Sequence, residues 1–422
     1  MKSKFFFALG LAGLWLAVSC RLAAGWAAEL VRFWPAAYVW WVLLGIALLP
    51  GFFISGMFFS NLMHRRWQPC PPTGEATTVL LCARNEEATV ARAIGAVLAQ
   101  DYPGEIRLIA VDNGSTDHTR REILRMSRQL PPNRSVEYLY CGRPGKAHAL
   151  NAGLARVKTD HFLTVDADTF LERRAVGRIL AHITARGSAC VAGNLFAANP
   201  GASLAAALQN WDYLLSIAAV KRYQGSYRAT LVAQGAFSAY ETAAVRQAGG
   251  WPDRLGEDIV LTYRLLGRGR ASTYEPGAVG YTTVPPTLGG LWRQRRRWAV
   301  GMLEGLRAVP PWRQGSASAR YFEGVNLAVP WLDLAFLFGF LPGVLLALAG
   351  YPYLAGCLTL FSAAVGALFF SSVYRYQRRL GIPFGGGAGG FLCFLLFFQP
   401  IQSAAALQGC LAWLLGRKGE WK

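Results

Sequence analysis

Acidic side chains are scarce in this chain: 24 Asp and Glu stand against 43 Lys and Arg, a formal net charge of +19. Histidine is scarcer still, with five residues, and none has the spacing of a zinc site. The eight cysteines include no Cys-x-x-Cys pair. Cys20, Cys357, Cys393 and Cys410 fall in apolar segments, and Cys70, Cys82, Cys141 and Cys190 in or beside the central region, so reduced structural thiols are expected. No internal repeat is evident and no recognition helix accompanies the positive charge, which argues against a nucleic-acid partner. Charged residues make up only 16% of the 422 positions while hydrophobic ones make up 53%, a balance at odds with a soluble globule but not with a membrane protein.

The apolar residues lie mainly at the two ends. Phe5 to Val18, after Lys2 and Lys4, resembles a signal peptide but is read as a retained first span reaching Ala23. Ala37 to Leu62 is long enough to cross a bilayer, and His64, Arg65 and Arg66 after it mark a cytoplasmic side. Val325 to Ala349, Tyr353 to Tyr374 and Phe391 to Leu415 supply about three more spans, the last interrupted at Gln399-Pro400; Arg375, Arg378 and Arg379 again mark the inside. The division is therefore 1–67, two spans; 68–288, a central domain between the spans; 289–324, an interfacial region; and 325–422, C-terminal spans.

Beyond the linker Gln68 to Gly74 the pattern alternates between strands and helices. Strands are expected at Thr77 to Cys82, Ile106 to Val111, Val136 to Tyr140 and Phe162 to Val165. Helices are expected at Glu87 to Ala99, from Asp117, at Lys146 to Val157 and at Leu204 to Val220. This order predicts an α/β, Rossmann-type domain with a mostly parallel sheet, inserted between transmembrane helices. Ligands in such sheets sit beyond the carboxyl ends of the strands. Three polar stretches fall there: Ala83-Arg-Asn-Glu-Glu87, Asp112-Asn-Gly-Ser-Thr-Asp117 and Asp166-Ala-Asp168.

Asp166 and Asp168 are the organising pair. Two carboxylates at the end of a buried strand repel each other and lose hydration, and Mg²⁺ or Mn²⁺ would relieve both costs while bridging to a diphosphate. Lys146 suits the same charge. Asn85-Glu86 doubles as a helix cap and Asp112-Asn-Gly-Ser as a turn, readings that single stretches do not exclude. Glu257 and Asp258 open a helix, where the dipole favours acids in any case; the functional reading makes Asp258 a general base. Gln234-Gly-Ala-Phe-Ser-Ala-Tyr240 is small and aromatic enough to line an acceptor site. Trp292-Arg-Gln-Arg-Arg-Arg-Trp298 reads as a basic, aromatic helix at a membrane surface.

Together these motifs resemble the membrane-embedded, inverting family 2 glycosyltransferases, which include the cellulose, hyaluronan, chitooligosaccharide and poly-N-acetylglucosamine synthases. The resemblance runs from about Thr77 to Gly301 and is carried by Asn85-Glu86-Glu87, Asp112-Asn-Gly-Ser, Lys146 to Asn151, Asp166-Ala-Asp168, Gly256-Glu-Asp258 and Gln294-x-x-Arg297-Trp298. Asn113 departs from it, since many members have a second aspartate, and so does Gly256, where cellulose synthases have threonine. The resemblance implies a GT-A-like domain and a UDP-sugar donor. It implies that Asn85, Glu86, Asp112, Lys146 and Asp166 bind the nucleotide, with Asp112 on the uracil. Asp168, with Asp166, would hold the metal, and Asp258, beside Glu257, would be the base. Gln294, Arg297, Trp298, Gln234, Gly235 and Phe237 would meet the diphosphate and acceptor. It also implies a multi-pass protein of a bacterial-type inner membrane, with the catalytic domain in the cytoplasm. Two products stay open, a β-glycan polymerised and moved across the membrane, or one sugar added to a membrane lipid, as does any need for accessory subunits.

Overall fold

Strand residues alternate between two apolar faces, and the computed structural model, which describes residues 2–64, 67–355, 357–385 and 387–416, fills both. The chain begins with α1 (Lys2–Leu30) and α2 (Ala36–Met63). The central domain follows as β1 (Thr77–Ala83), α3 (Val90–Leu98), β2 (Ile106–Asp112), α4 (Thr119–Met126), β3 (Arg134–Tyr140), α5 (Lys146–Arg156), β4 (His161–Asp166) and β5 (Thr169–Leu171). It continues through α6 (Ala175–Arg186), β6 (Cys190–Ala197), the long helix α7 (204–226), β7 (Phe237–Glu241), α8 (Thr242–Gln247), α9 (Glu257–Gly267) and β8 (Ser272–Thr282). Helices α10 (Leu288–Ala308), α11 (Ala317–Leu348), α12 (Cys357–Arg379) and α13 (Gly389–Leu414) complete it.

The eight strands form one sheet in the order β3-β2-β1-β4-β7-β6-β8-β5. β3, β2, β1 and β4 are parallel, as expected. The other half is mixed: β7 runs antiparallel to both β4 and β6, β8 is parallel to β6, and β5 is antiparallel to β8. Val79 and Leu81 of β1 pack with α3, α4 and α6, while Leu80 faces α5 and α9. Leu108 and Ile109, and Leu163 and Phe162, divide in the same way. Each such aliphatic side chain, fully removed from water, contributes about 1.5–3 kcal/mol.

Two helices begin later than the sequence suggests, at Val90 rather than Glu87 and at Thr119 rather than Asp117. The acidic residues taken as first-turn members instead join two loops. The Glu87 N–H donates to Asp117 Oδ2 (3.1 Å), the His118 N–H to Glu87 Oε2 (2.9 Å), and the Glu86 N–H to Thr119 Oγ1 (2.7 Å).

Among the described residues, four helices are long and apolar enough to cross a membrane: Ser3–Leu30, Ala36–Met63, Ala317–Leu348 and Gly389–Leu414. The first extends well past Ala23. The segment read as a span from Tyr353 to Tyr374 folds as α12, which does not meet that measure among the described residues; near its C-terminus Gln377 is buried against Asn194 of β6. Arg65 and Arg66 lie outside the described residues. The break expected at Gln399-Pro400 is absent, because a π-helical turn, Phe394–Phe398, precedes it. Pro50 and Pro342 likewise follow π-turns, Leu44–Leu48 and Phe336–Phe340. A proline ring crowds the carbonyl four residues earlier, and the wider turn makes room for it.

Candidate active site

A cavity of about 950 Å³ opens beyond the carboxyl ends of β1, β2 and β4. Strand-end and loop segments line it, among them Ala83 to Glu86, Asn113, Asp166 to Asp168, Gln234 to Ala236, and Thr282 with Thr283. Helices contribute Glu257 and Asp258 at the start of α9, just after Gly256, then Gln294, Arg297 and Trp298 from α10, and Lys221 from α7.

Hydrogen bonds fix the wall near the ends of β1 and β2. Asn85 sits in the left-handed region at φ 56° and its Oδ1 accepts from the Thr116 N–H at 2.8 Å. Asp112 lies beside the cavity and not on its wall, at 2% exposure. Its Oδ1 accepts from the Ser115 N–H (2.9 Å) and its Oδ2 from the Tyr138 hydroxyl (3.0 Å). Asn113 reaches the wall instead. Its amide donates to the carbonyls of Cys141 (3.2 Å) and Arg143 (2.8 Å), and its Oδ1 accepts from the Gly145 N–H (2.8 Å). An aspartate there has no N–H for those two carbonyls, which is the physical content of this departure from the common pattern.

Asp166 and Asp168 both reach the cavity, and Lys146 forms an ion pair with Asp166. Burial, then Asp166 and Glu86, push the Asp168 carboxyl up to about 7. Burial also raises Glu86. Burial alone would lower the Lys146 ammonium, but Asp166 and Glu257 outweigh it and hold it above its usual range. Among the described residues no third His, Cys, Asp or Glu joins this pair in a metal-binding group. Two hard carboxylate oxygens fit a cation that takes its remaining ligands from phosphate and water.

Glu257 and Asp258 open α9 side by side. Burial and then Asp258 push Glu257 up to about 7, against the lowering pull of Lys146. Asp258 Oδ2 accepts from the Gly235 N–H at 3.1 Å. The turn before it needs Gly256, whose φ is 75°. A Cβ there would lie 2.5 Å from Gly301 Cα, and one on Gly301 would lie 2.9 Å from Gly256 Cα. The two glycines therefore let α9 and α10 touch backbone to backbone. This accounts for glycine in place of threonine at 256, a pairing with Gly301 that no single-position reading of the sequence finds.

Gln294, Arg297, Trp298 and Gly301 recur at helical spacing on one face of α10, and the first three line the cavity. Trp298, 37% exposed, stacks on Tyr213 with centroids 6.4 Å apart. Beneath it lies Arg295, 2% exposed, its guanidinium 4.3 Å from the Trp298 ring centre and paired with Asp212 at 2.7 Å. The sequence reading missed Tyr213 and Lys221, which line the cavity, and Arg295 and Asp212, which support Trp298 from behind it. Arg295 was taken as part of a basic run at a membrane surface, whereas of the four arginines in that run only Arg293 and Arg296 are exposed. Gln234 and Gly235 line the cavity as expected. Phe237 does not: it is fully buried in β7 opposite Val165, where strand alternation turns it into the core.

Residues 72–301 match the family model described as glycosyltransferase like family 2. A poly-beta-1,6-N-acetyl-D-glucosamine synthase of Staphylococcus aureus (strain COL) is 33% identical over 236 residues, 55% of this chain and 56% of that protein, so the match spans little more than half of the relative's length. The synthase of the same name from Staphylococcus epidermidis is 27% identical over 316 residues, 73% of this chain and 75% of its own. Among solved structures, the mannosyltransferase PcManGT from Pyrobaculum calidifontis, in complex with GDP-Man and Mn²⁺, superposes with a TM-score of 0.61 over 93% of this chain and 99% of its own. At 18% identity that likeness speaks for the fold.

Proposed function

Because the chain belongs to the glycosyltransferase-like family 2, we propose that it is an inverting transferase that builds a β-linked, N-acetylglucosamine-type polysaccharide from a UDP-sugar. The observation that carries this is the single cavity that holds Asp258, the Asp166–Asp168 pair and Trp298 together. Synthase relatives from two staphylococcal species support the polymer and the sugar.

The reaction follows from that arrangement. The acceptor hydroxyl oxygen bonds to the anomeric carbon as that carbon's bond to the diphosphate oxygen breaks on the opposite face. Its proton passes to Asp258, whose Oδ2 is held by the Gly235 N–H. Lys146 and Arg297 face the negative charge that collects on the departing UDP. Asp168, with Asp166, would hold Mg²⁺ or Mn²⁺, which when bound neutralises diphosphate charge. The Trp298 ring, propped by Arg295 and Tyr213, offers an apolar face to the acceptor sugar.

Nucleotide sugars are cytoplasmic, and the basic residues flanking the spans suit the same side, so the domain from Met63 to Tyr321 faces the cytoplasm of a bacterial-type inner membrane. The cavity extends to Asn326 on α11, the third candidate span, which suits an acceptor drawn from the bilayer or a chain passing into it. Reconstitution in liposomes with labelled UDP-sugars, followed by sizing of the product, separates the two. A ladder of long products supports the synthase, and a monoglycosylated lipid with every donor replaces it with a lipid transferase.

A further inference from the structure

Lys221 is 7% exposed on α7 and lines the same cavity as Asp258, yet among the described residues it makes no ion pair within 4.0 Å. Its ammonium donates to two neutral acceptors, the Val232 carbonyl and Gln234 Oε1. The Gln234 amide in turn donates to the Gly193 carbonyl on β6 at 2.7 Å. The next residue is Gly235, whose N–H meets Asp258. On its other side Gly235 is closed in: a Cβ there would lie 2.8 Å from Lys146 Nζ. Val232 to Gly235 is thus a short run fastened by the Lys221 ammonium and flanked by Lys146, and its last N–H rests on Asp258. Lys146 has Asp166 as partner, while Asp258 is the carboxylate whose charge acts on Lys221.

The geometry points to Lys221 as a positioning residue for the transfer step: it fastens the run Val232 to Gly235 so that the Gly235 N–H meets Asp258, and it sets a buried positive charge beside that carboxylate. The charge matters because the base acts only when ionised, and a nearby cation favours the ionised form. The coupling is mutual. Burial lowers the Lys221 ammonium to about 7, and Asp258 pulls against that fall. Cys190 on β6 also faces Lys221, and Glu257 on α9, Lys146 on α5 and Tyr240 on β7 face Asp258. A lysine used only to fill space would be replaceable by methionine, which has nearly its shape and no charge.

This inference rests on Asp258 being the base, so Asp258→Asn is measured alongside. The full chain in liposomes is assayed for initial rate against pH, with UDP binding followed separately. Lys221→Met is expected to bind UDP within about twofold of the parent, to lose about 10-fold or more in kcat, and to shift the acid limb of its pH–rate profile upward by about one unit, as loss of a neighbouring opposite charge does. Lys221→Arg, which keeps the charge, should return the limb toward its original position. An unmoved acid limb in Lys221→Met overturns the proposal, whether kcat falls or not. Should Lys221→Met fail to fold, Gln234→Glu serves in its place. A carboxylate against the ammonium cancels its field and must move the limb the same way, and an unmoved limb overturns the proposal equally. Full activity in Asp258→Asn removes the base assignment itself, a result distinguishable from either.

Discussion

Replacing Gly256 by alanine tests how tightly the α9–α10 contact sets the site. Two costs are separable. At φ 75° an L-residue is strained by roughly 1–2 kcal/mol whatever its surroundings. The new Cβ would also lie 2.5 Å from Gly301 Cα. Carbons sit comfortably about 3.5–4.0 Å apart, so the two helices must separate by about 1 Å. Helix α10 carries Gln294, Arg297 and Trp298 on the face that bears Gly301, and α9 carries Asp258 two residues from Gly256. A misplacement of about 1 Å between groups that act together costs on the order of 10²-fold in rate. Gly256→Ala is therefore expected to lose about that much kcat while still folding and binding UDP. Gly269 is the control: its φ is 72°, but a Cβ there meets nothing within 4 Å. Gly269→Ala should show the backbone strain as a lower thermal midpoint and keep its turnover. Gly301→Ala, without backbone strain, should lose activity with little loss of stability. Turnover in liposomes and thermal midpoint by chromatography after heating are read for all three. Gly256→Ala turning over as fast as Gly269→Ala would refute the reasoning.

Asp258→Asn should bind UDP normally and lose about 10²–10⁴-fold in transfer; wild-type turnover would sink the base assignment. Asp212→Asn leaves Arg295 buried without its partner and should destabilise the protein by about 3–5 kcal/mol, whereas replacing both by apolar residues should restore most of that in a thermal-shift assay. Asp168 and Glu257 are both raised to about 7 by burial. A carboxyl whose folded value lies above its unfolded one favours folding while protonated, so metal-free protein should lose stability as pH rises from about 4 through 7. Mn²⁺ at Asp168 should reverse that loss, and an equal Mn²⁺ effect on the thermal midpoint at pH 5 and pH 8 would contradict it. An impermeant maleimide added to intact cells should leave Cys141 unmodified and label it after lysis; labelling before lysis overturns the topology.

The parallel half of the sheet was legible because its strands are short apolar runs whose neighbours alternate in face, a local property. The mixed half was not, since the antiparallel insertion of β7 between β4 and β6 depends on pairing across long separations. The stretches that line the cavity were legible where they fall at strand ends, as at Asp166-Ala-Asp168, or at helical spacing, as at Gln294, Arg297 and Trp298. Phe237 was misread because it opens β7 opposite Val165 and its ring joins the buried core, whereas Gln234 and Gly235 lie in the loop before the strand. Lys221 and Asp212 lie in an unremarkable helical stretch, and only the fold brings them against Gln234 and Arg295. Arg295 hides in a basic run, although its place one residue after Gln294 turns it toward α7 and not toward lipid or water.

The lengths of the candidate spans carry a consequence for the membrane itself. At 1.5 Å per residue, a 28-residue helix such as Ala36–Met63 is about 42 Å long and the 32-residue Ala317–Leu348 about 48 Å, against a hydrocarbon layer of about 30 Å. In a bilayer these helices must tilt or stand proud of the layer. Asn326 lies nearly one turn beyond Glu323 on α11, and it belongs both to that helix and to the wall of the cavity. The depth of the cavity's inner end relative to the headgroups is thus set partly by lipid thickness: thicker bilayers immerse it, thinner ones lift it toward water, and acyl-chain length becomes a variable of the reaction.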